Sequence, residues 1–328
     1  MKRRFLDLRG PKPLLDIVSY GRAGPRSLTR SEREYVERTV RQAPEVVIKV
    51  SGGARTLSGV ERHLAYIGRH GKLGIESDEG QLMPGTALHS DVIGDWNLDL
   101  EARSRHAQRS VRGARKPPKL VHNLIFSMPP GTRPELVLKA VRKLAVNQFA
   151  LKHRYAMILH TDELHPHVHV VVKAVSERGE RLNIKKATLR EWRLEFAANL
   201  RELGVLANAT ERAVRGQSRL SKSDGIYRAA QRGQSSYMRA LAKDAIADAQ
   251  HGITEVAKGL LISTREGVVA GWRALSAQLR SDGDNRLAGE VDRFVERLPP
   301  PLTERELVLN RQRSIQAAPQ RESPPRTR

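Results

Sequence analysis

From residue 46 onward the chain switches repeatedly between two hydrophobic periods. Short runs rich in β-branched residues predict strands at 46–50, 120–127, 153–161 and 166–174. Between them, apolar residues recur at spacings of three and four, which predicts helices. Leu57, Val60, Leu64 and Ile67 mark a helix over 56–67, with Thr56 or Ser58 as its cap and Gly68 and Gly71 at its end. Leu136, Val137, Ala140, Val141, Leu144 and Phe149 mark a second over 133–150. Leu189, Trp192, Phe196, Leu200 and Leu203 mark a third over 188–203, ended by Gly204. Residues 81–119 read as loop, with a short helix beginning within 91–100 around Trp96. The link between the strands at 153–161 and 166–174 is short, which favours an antiparallel pair. Residues 181–184 fit an edge. The pattern predicts an α+β domain with a mainly antiparallel sheet flanked by helices.

The flanks differ. Residues 1–44 are basic and are broken by Pro11, Pro13, Gly21, Gly24 and Pro25, and they read as an arm. Within it, Ser31 with Glu34 three residues on suggests a short capped helix over 31–41. Beyond residue 220 the composition turns to Ala, Arg, Gln and Ser, and helices fit 226–250 and 253–295. The last stretch begins Pro299-Pro300-Pro301 and ends rich in Arg, Pro and Gln, as a disordered tail would. The expected partition is therefore an arm at 1–44, a folded domain at 45–219, a basic helical region at 220–298 and a basic tail at 299–328. There is no internal repeat, P-loop or dinucleotide fingerprint.

Charge narrows the class of partner. The 328 residues carry a formal net charge of +22, which favours a polyanion: nucleic acid first, an acidic membrane second. Arg103, Arg105, Arg109, Arg112, Arg115, Lys116 and Lys119 fall in one stretch without an acid, suited to a phosphate backbone or to a plain solvated face. Aromatic residues are only 4%, so base-stacking platforms are few. The absence of cysteine excludes thiolate zinc sites, disulfides and cysteine nucleophiles and fits a reducing compartment. No apolar run reaches the roughly 18 residues that a membrane span needs. Met1-Lys2-Arg3-Arg4-Phe5 is not followed by the apolar core of a secretory signal.

The candidate chemistry lies in residues 160–169, His-Thr-Asp-Glu-Leu-His-Pro-His-Val-His. On a strand, His167 and His169 project from the same face. His160 ends the preceding strand, and if the two strands are neighbours a third imidazole reaches the same point. Three neutral imidazoles on a rigid sheet make a divalent-metal site with open positions. A histidine cluster can also be a surface accident. Against that, an otherwise apolar strand should not bury several imidazoles without partners.

His160-x-Asp162-x-x-x-Pro166-His167-x-His169 resembles the third motif of the conjugative relaxases, a branch of the HUH endonucleases. The P-type mobilization relaxases, which include the border-nicking relaxases of T-DNA transfer, are the most similar. Leu64-Ala65-Tyr66-Ile67-Gly68-Arg69-His70-Gly71-Lys72-Leu73 looks like their first motif, and the likeness extends to Lys49-Val50-Ser51-Gly52-Gly53 and Glu76-Ser77-Asp78-Glu79-Gly80. Ser127-Met128-Pro129 resembles the second motif, over a short match. By residue type alone Tyr66, beside an apolar stripe, would be a core tyrosine, and Ser127 a strand-end serine satisfying the local backbone. The resemblance implies otherwise. It makes Tyr66 the nucleophile, His160, His167 and His169 the metal ligands, and Ser127 a residue near the cleavage point. Asp162 would orient a histidine ring, and His165 would stand outside the ligand set. No second tyrosine stands one helical turn from Tyr66, which implies a single-tyrosine enzyme.

The fold so implied is an HUH-type relaxase domain followed by a helical basic C-terminal region. The implied activity is metal-dependent, strand-specific nicking of single-stranded DNA at a transfer origin, through a 5′-phosphotyrosine intermediate that later rejoins the strand. The implied cofactor is Mg2+ or Mn2+, with Zn2+ or Ni2+ as substitutes in vitro. DNA contacts would come from Arg69, Lys72, Arg103, Arg105, Arg109, Arg112, Arg115 and Lys116. Further partners would be mobilization accessory proteins, a coupling protein and a type IV secretion channel. The location would be the bacterial cytoplasm, with passage alongside the DNA strand as an option. Two alternatives stand beside this reading: a rolling-circle replication initiator, and a non-catalytic DNA-binding accessory protein. A zinc hydrolase fits less well, because no His-Glu-x-x-His occurs.

Overall fold

The structure is a computed structural model that describes residues 15–18, 20, 26–83, 94–98, 118–218, 224–251 and 255–317. The chain divides into two compact units, one built on Gln42–Ala209 and the other on the described residues of Leu14–Arg41 and Thr210–Arg328.

The first unit is α+β. Its strands are β1 (Val47–Gly52), β2 (Ile75–Ser77), β3 (Leu82–Met83), β4 (Val121–Ser127), β5 (Tyr155–His160) and β6 (His167–Lys173). They form one antiparallel sheet in the order β1-β4-β6-β5-β2-β3. Its helices are α2 (Leu57–Ile67), α3 (Pro134–Phe149) and α4 (Lys186–Glu202), where α1 is the preceding helix Arg30–Val40 of the second unit. The four longer strands and the three helices lie where the hydrophobic pattern puts them, with ends shifted by a residue or two, whereas β2 was not expected and β3 falls within the stretch 81–119 read as loop. Residues 181–184 contribute only an isolated bridge, Val175 to Arg181.

Strand alternation gives the sheet two different faces. One carries Leu124 and Phe126 of β4, Val168, Val170 and Val172 of β6, and Tyr155 and Met157 of β5. The apolar stripes of α3 and α4 cover it, with Trp192, Phe149 and Phe196 among the largest buried side chains. Each such ring stabilises the fold by about 1.5–3 kcal/mol relative to exposure. The other face carries the odd-numbered residues of β4 and β6. There Val121, Val171, Ala156 and Ile158 pack under Val60, Leu64 and Ile67 of α2, joined by Trp96 and Leu98. Thr56 caps α2, its hydroxyl accepting from the Gly59 amide. Gly53 holds φ +152°, and a Cβ there would lie 2.4 Å from the Val121 carbonyl oxygen, so β1 turns into α2 only with glycine at this point.

The second unit is helical: α1, α5 (Asp224–Gln231), α6 (Ser236–Gln250), α7 (Val256–Ser281), α8 (Asn285–Glu296) and α9 (Glu304–Ala317). Four sequence expectations change here. Residues 15–41 do not behave as an arm. Leu15, Ile17, Tyr20, Leu28, Tyr35 and Val36 are buried with Trp272, Leu275, Leu279, Leu287, Val291 and Phe294. Gly271 of α7 permits the approach, because a Cβ there would stand 1.9 Å from the Ile17 carbonyl oxygen. Arg33 adds ion pairs to Asp282 and Asp284. The helix cap also moves, since Thr29 and Glu32, not Ser31 and Glu34, form the capping box. The long helices expected at 226–250 and 253–295 each break at a glycine, Gly233 (φ +70°) and Gly283 (φ +83°), whose left-handed conformation ends a helix at little cost. Residues 304–317 of the expected tail are helical, and 318–328 lie outside the described residues.

Glu32 ties the N-terminal segment to its own helix. The Arg26 hydrogen bond first, then the Thr29 contacts, outweigh burial and hold its carboxyl down at about 2. A depressed acid contributes stability above its unfolded pKa that is lost as pH falls towards the folded one. Acid titration of thermal stability between about pH 4.5 and 2 is therefore expected to show a smaller loss in Glu32→Gln than in the wild type. Parallel curves would show that Arg26 and Glu32 do not hold this segment.

Candidate metal and tyrosine site

The site is built on the α2-covered face, at one end of the sheet. Register decides its composition. Ser127 of β4 stands opposite His167 of β6, and His167 stands opposite His160 of β5. His169 lies two residues on from His167 and so shares the face. The three rings gather with centroids 4.5–5.1 Å apart. One ligand nitrogen from each lies within 4.8 Å of the others. All three residues are buried.

Hydrogen bonds decide which nitrogens point inward. His160 donates from Nε2 to the Ile67 carbonyl at 2.6 Å, leaving its Nδ1 as an acceptor. His167 donates from Nδ1 to the His165 carbonyl at 2.9 Å, leaving Nε2. Burial lowers the pKa of His160 below the usual histidine value. Burial, reinforced by the charges of His160 and His167, takes His169 to about 3. A divalent cation requires imidazole lone pairs, and that of His160 Nδ1 is shared in this structure with Arg69 Nη2 at 3.1 Å. The Nδ1 of His169 is buried and has no hydrogen-bond partner among the described residues. A buried cage of three imidazoles, one of them incompletely satisfied, fits a metal better than it fits a packed core.

Tyr66 is next to the last residue of α2. Val60, Leu64 and Ile67 face the sheet, which turns Tyr66 outward, and it is 44% exposed despite its size. Its surroundings come from an unusual turn. After Gly68, both Arg69 (φ +51°) and His70 (φ +53°) adopt the left-handed conformation, followed by Gly71 (φ +90°). Such backbone costs on the order of 1–3 kcal/mol per non-glycine residue and persists where surrounding contacts over-determine it. Here the turn folds Arg69 back over its own helix. Its guanidinium lies 5.6 Å from the Tyr66 ring centroid. It also binds Asp162 at 2.6 Å and His160 Nδ1 at 3.1 Å through Nη2. Loss of hydration works to raise the Asp162 pKa, but hydrogen bonds from Arg69 and its own amide, with the charges of Arg69 and His160, bring it below the usual carboxylate value.

The structure therefore brings together Tyr66, Arg69, Asp162, Ser127 and the three histidines. It assigns Asp162 a different contact from the expected one. The carboxylate comes no closer than 3.9 Å to His160 Nδ1 and clamps Arg69 instead, while Ile67 supplies the carbonyl that orients the ring. The Ser127 hydroxyl reaches the Met128 carbonyl at 3.4 Å, the local backbone contact open to any strand-end serine. His165 is exposed, and its carbonyl is what fixes His167. Lys72 is exposed on the same turn. Arg103, Arg105, Arg109, Arg112, Arg115 and Lys116 lie outside the described residues. One residue was missed. His63, one turn before Tyr66, faces His169 with ring centroids 6.4 Å apart. Its three-residue spacing from Tyr66 on an amphipathic helix was the available signal.

Comparison with known proteins now gives the class. Residues 88–204 match the family described as "Relaxase: MobA/VirD2-like, nuclease domain", a stretch that holds Ser127 and all three histidines, with Tyr66 upstream of it. These matches support a relaxase-type nuclease domain in the first unit. Among similar curated proteins is the T-DNA border endonuclease VirD2 of Agrobacterium fabrum (strain C58 / ATCC 33970), 25% identical over 215 residues, 60% of this chain and 46% of that protein. The T-DNA border endonucleases VirD2 of Rhizobium rhizogenes and Rhizobium radiobacter are 26% and 28% identical over 189 residues, 52% of this chain and 42% and 43% of those proteins. The chain thus spans less than half the length of these relatives. Among its described residues, no helix is long and apolar enough to cross a membrane.

The cage makes a direct expectation. Calorimetric titration with Mn2+ should give one ion per chain, and His167→Ala should weaken binding by at least about tenfold, since one of three ligands is gone. Equal affinity in the variant would remove His167 from the ligand set.

Proposed function

We propose that this protein is a DNA-strand transesterase that nicks single-stranded DNA at the transfer origin of a mobile element. The observation that carries the reading is the juxtaposition of an exposed Tyr66 with the buried His160, His167 and His169, joined through Arg69. The family match and the VirD2 relatives, named as T-DNA border endonucleases, support it.

In this reading the Tyr66 Oη attacks one phosphodiester. The Oη–phosphorus bond forms, and the bond from phosphorus to the 3′-oxygen breaks. The phenol proton leaves Tyr66, and the departing 3′-oxygen gains one, so the products are a 5′-phosphotyrosine and a 3′-hydroxyl. The exchange conserves one phosphodiester for another, so reversal rejoins the strand. His160, His167 and His169 hold a divalent cation, Mg2+ or Mn2+ in the family pattern, with Zn2+ or Ni2+ able to replace it on imidazole ligands. When bound, the cation supplies positive charge to the scissile phosphate. Arg69 adds fixed charge of its own beside both Tyr66 and His160, where phosphate oxygens would lie, and Asp162 holds that guanidinium in place. Ser127, beside His167 in the sheet, touches the DNA next to the break. Lys72 and the basic stretch at 103–116 contribute backbone contacts to the single strand.

The domain reading that follows is a nuclease unit and a basic helical unit. The second unit is the surface for mobilization accessory proteins, a coupling protein or a type IV secretion channel. The protein acts in the bacterial cytoplasm and travels with the strand it has bound. A rolling-circle replication initiator would use the same chemistry at a replication origin, and mapping the nick separates the two.

The test is incubation with tiled single-stranded oligonucleotides from DNA flanking the gene, in the presence of Mn2+. An SDS-resistant adduct on Tyr66 is expected by mass spectrometry. Tyr66→Phe should abolish that adduct while leaving oligonucleotide affinity within a few-fold, and an active Phe variant would overturn the assignment. The charge of +22 gives a second expectation. Log affinity for single-stranded DNA should fall linearly with log salt, at a slope of about −0.7 per phosphate contacted. A flat response would remove the phosphate-backbone interpretation.

A further inference from the structure

Among the three caged histidines, the nitrogen that does not face the cage is accounted for in two. The Ile67 carbonyl takes the N–H of His160, and the His165 carbonyl takes that of His167. His169 is the exception: its Nδ1 is buried and has no partner among the described residues. The neighbouring ring is His63 of α2, edge-on at 66° with its centroid 6.4 Å away. The Nε2 of His63 is also buried, and it too has no partner among the described residues. Two unsatisfied polar nitrogens therefore sit in adjacent rings on the buried side of the site. Each alone carries a desolvation cost. An N–H on one and a lone pair on the other would satisfy both.

We infer that His63 is the positioning residue for His169, accepting its Nδ1–H at Nε2 through one bridging water, and so fixing the tautomer that turns His169 Nε2 towards the metal. The fold supports the pairing. Around α2, His63 falls between the buried stripe of Val60, Leu64 and Ile67 and the exposed Tyr66, so its ring enters from the edge of the helix onto His169. Burial keeps both rings neutral, as one donor and one acceptor require. The consequence reaches beyond the ligand. The α2 helix then holds both ends of the cage, through the Ile67 carbonyl on His160 and through His63 on His169, and it carries Tyr66 between them. Metal affinity and nucleophile placement are thereby set by one rigid element.

This inference rests on the reading that the three histidines hold a divalent ion. The test is Mn2+ titration of the full chain by calorimetry, comparing wild type, His63→Phe and His63→Gln. Phenylalanine keeps the ring and removes the acceptor, and glutamine restores an acceptor oxygen. The expected result is a 10–100-fold loss of affinity in His63→Phe and recovery of most of it in His63→Gln. Equal affinities in wild type and His63→Phe would overturn the role of His63 and leave the metal cage standing, as would a loss that glutamine does not rescue. If the wild type binds no ion, the cage itself falls, and this inference with it. A second measurement holds should the phenylalanine variant not fold. Long-range proton–nitrogen NMR of the Zn2+-loaded wild type should show the His169 proton on Nδ1 and protected from exchange. A proton on Nε2 would refute the assignment.

Discussion

β6 is a seven-residue strand buried along its whole length, yet its two faces have opposite chemistry. Val168, Val170 and Val172 enter the apolar layer under α3 and α4, while His167 and His169 turn the other way. Because the side-chain period of a strand is two, that register is not adjustable. A slip of one residue would carry three valines out of the core and drive two imidazoles into it. The hydrophobic layer thus enforces the register, and the register places His160 opposite His167 and Ser127 beside it. The chemistry of the α2-covered face is positioned by the packing of the opposite one.

Burying three imidazoles is unfavourable by itself, and the structure shows how the cost is contained. Two of the rings donate to carbonyls that lie at turns, Ile67 at the end of α2 and His165 just before β6. These carbonyls have no ladder partner to lose, so the histidines take them without breaking the sheet. Strain is accepted on the other side of the site. Arg69 and His70 both hold left-handed backbone, and the Arg69 side chain answers with contacts to Asp162, His160 and the Tyr66 ring. A glycine would relieve the strain and lose all three contacts, which argues that the side chain, rather than the turn alone, is what the position serves.

Much of this was legible in the sequence, for reasons that can be named. The strands and helices of the nuclease unit follow from periodicity, because both faces of its central strands are buried and the helices are amphipathic. The gathering of His160, His167 and His169 followed from alternation and a short connection. What escaped was set by contacts distant in sequence. The N-terminal segment reads as a broken, basic arm. It folds because Ile17 meets a glycine more than 250 residues away, and no local pattern records that. The breaks at Gly233 and Gly283 are single left-handed residues inside otherwise continuous helical periodicity. At the site, the sequence offers Asp162 as the natural partner for a histidine. The structure inserts Arg69 between them, because the turn after α2 delivers a stronger cation to the carboxylate than a neutral imidazole can be.

Tyr66 and the histidine cage come from different parts of the chain. The histidines stand on the sheet, whose register fixes them relative to one another. Tyr66 stands on a helix that touches the same face only through the apolar contacts of Val60, Leu64 and Ile67. Apolar packing sets distance well but leaves sliding and rotation cheap, since dispersion is non-directional. Directional contacts remove that freedom. The Ile67 carbonyl on His160 and the Arg69 contacts to Asp162 and to His160 tie the end of α2 to β5 and the residues just after it. Three such ties near its end hold a helix against both rotation and translation. On the proposed transesterase reading, the same oxygen meets the same phosphate twice, so the site gains more from this rigidity than the fold does.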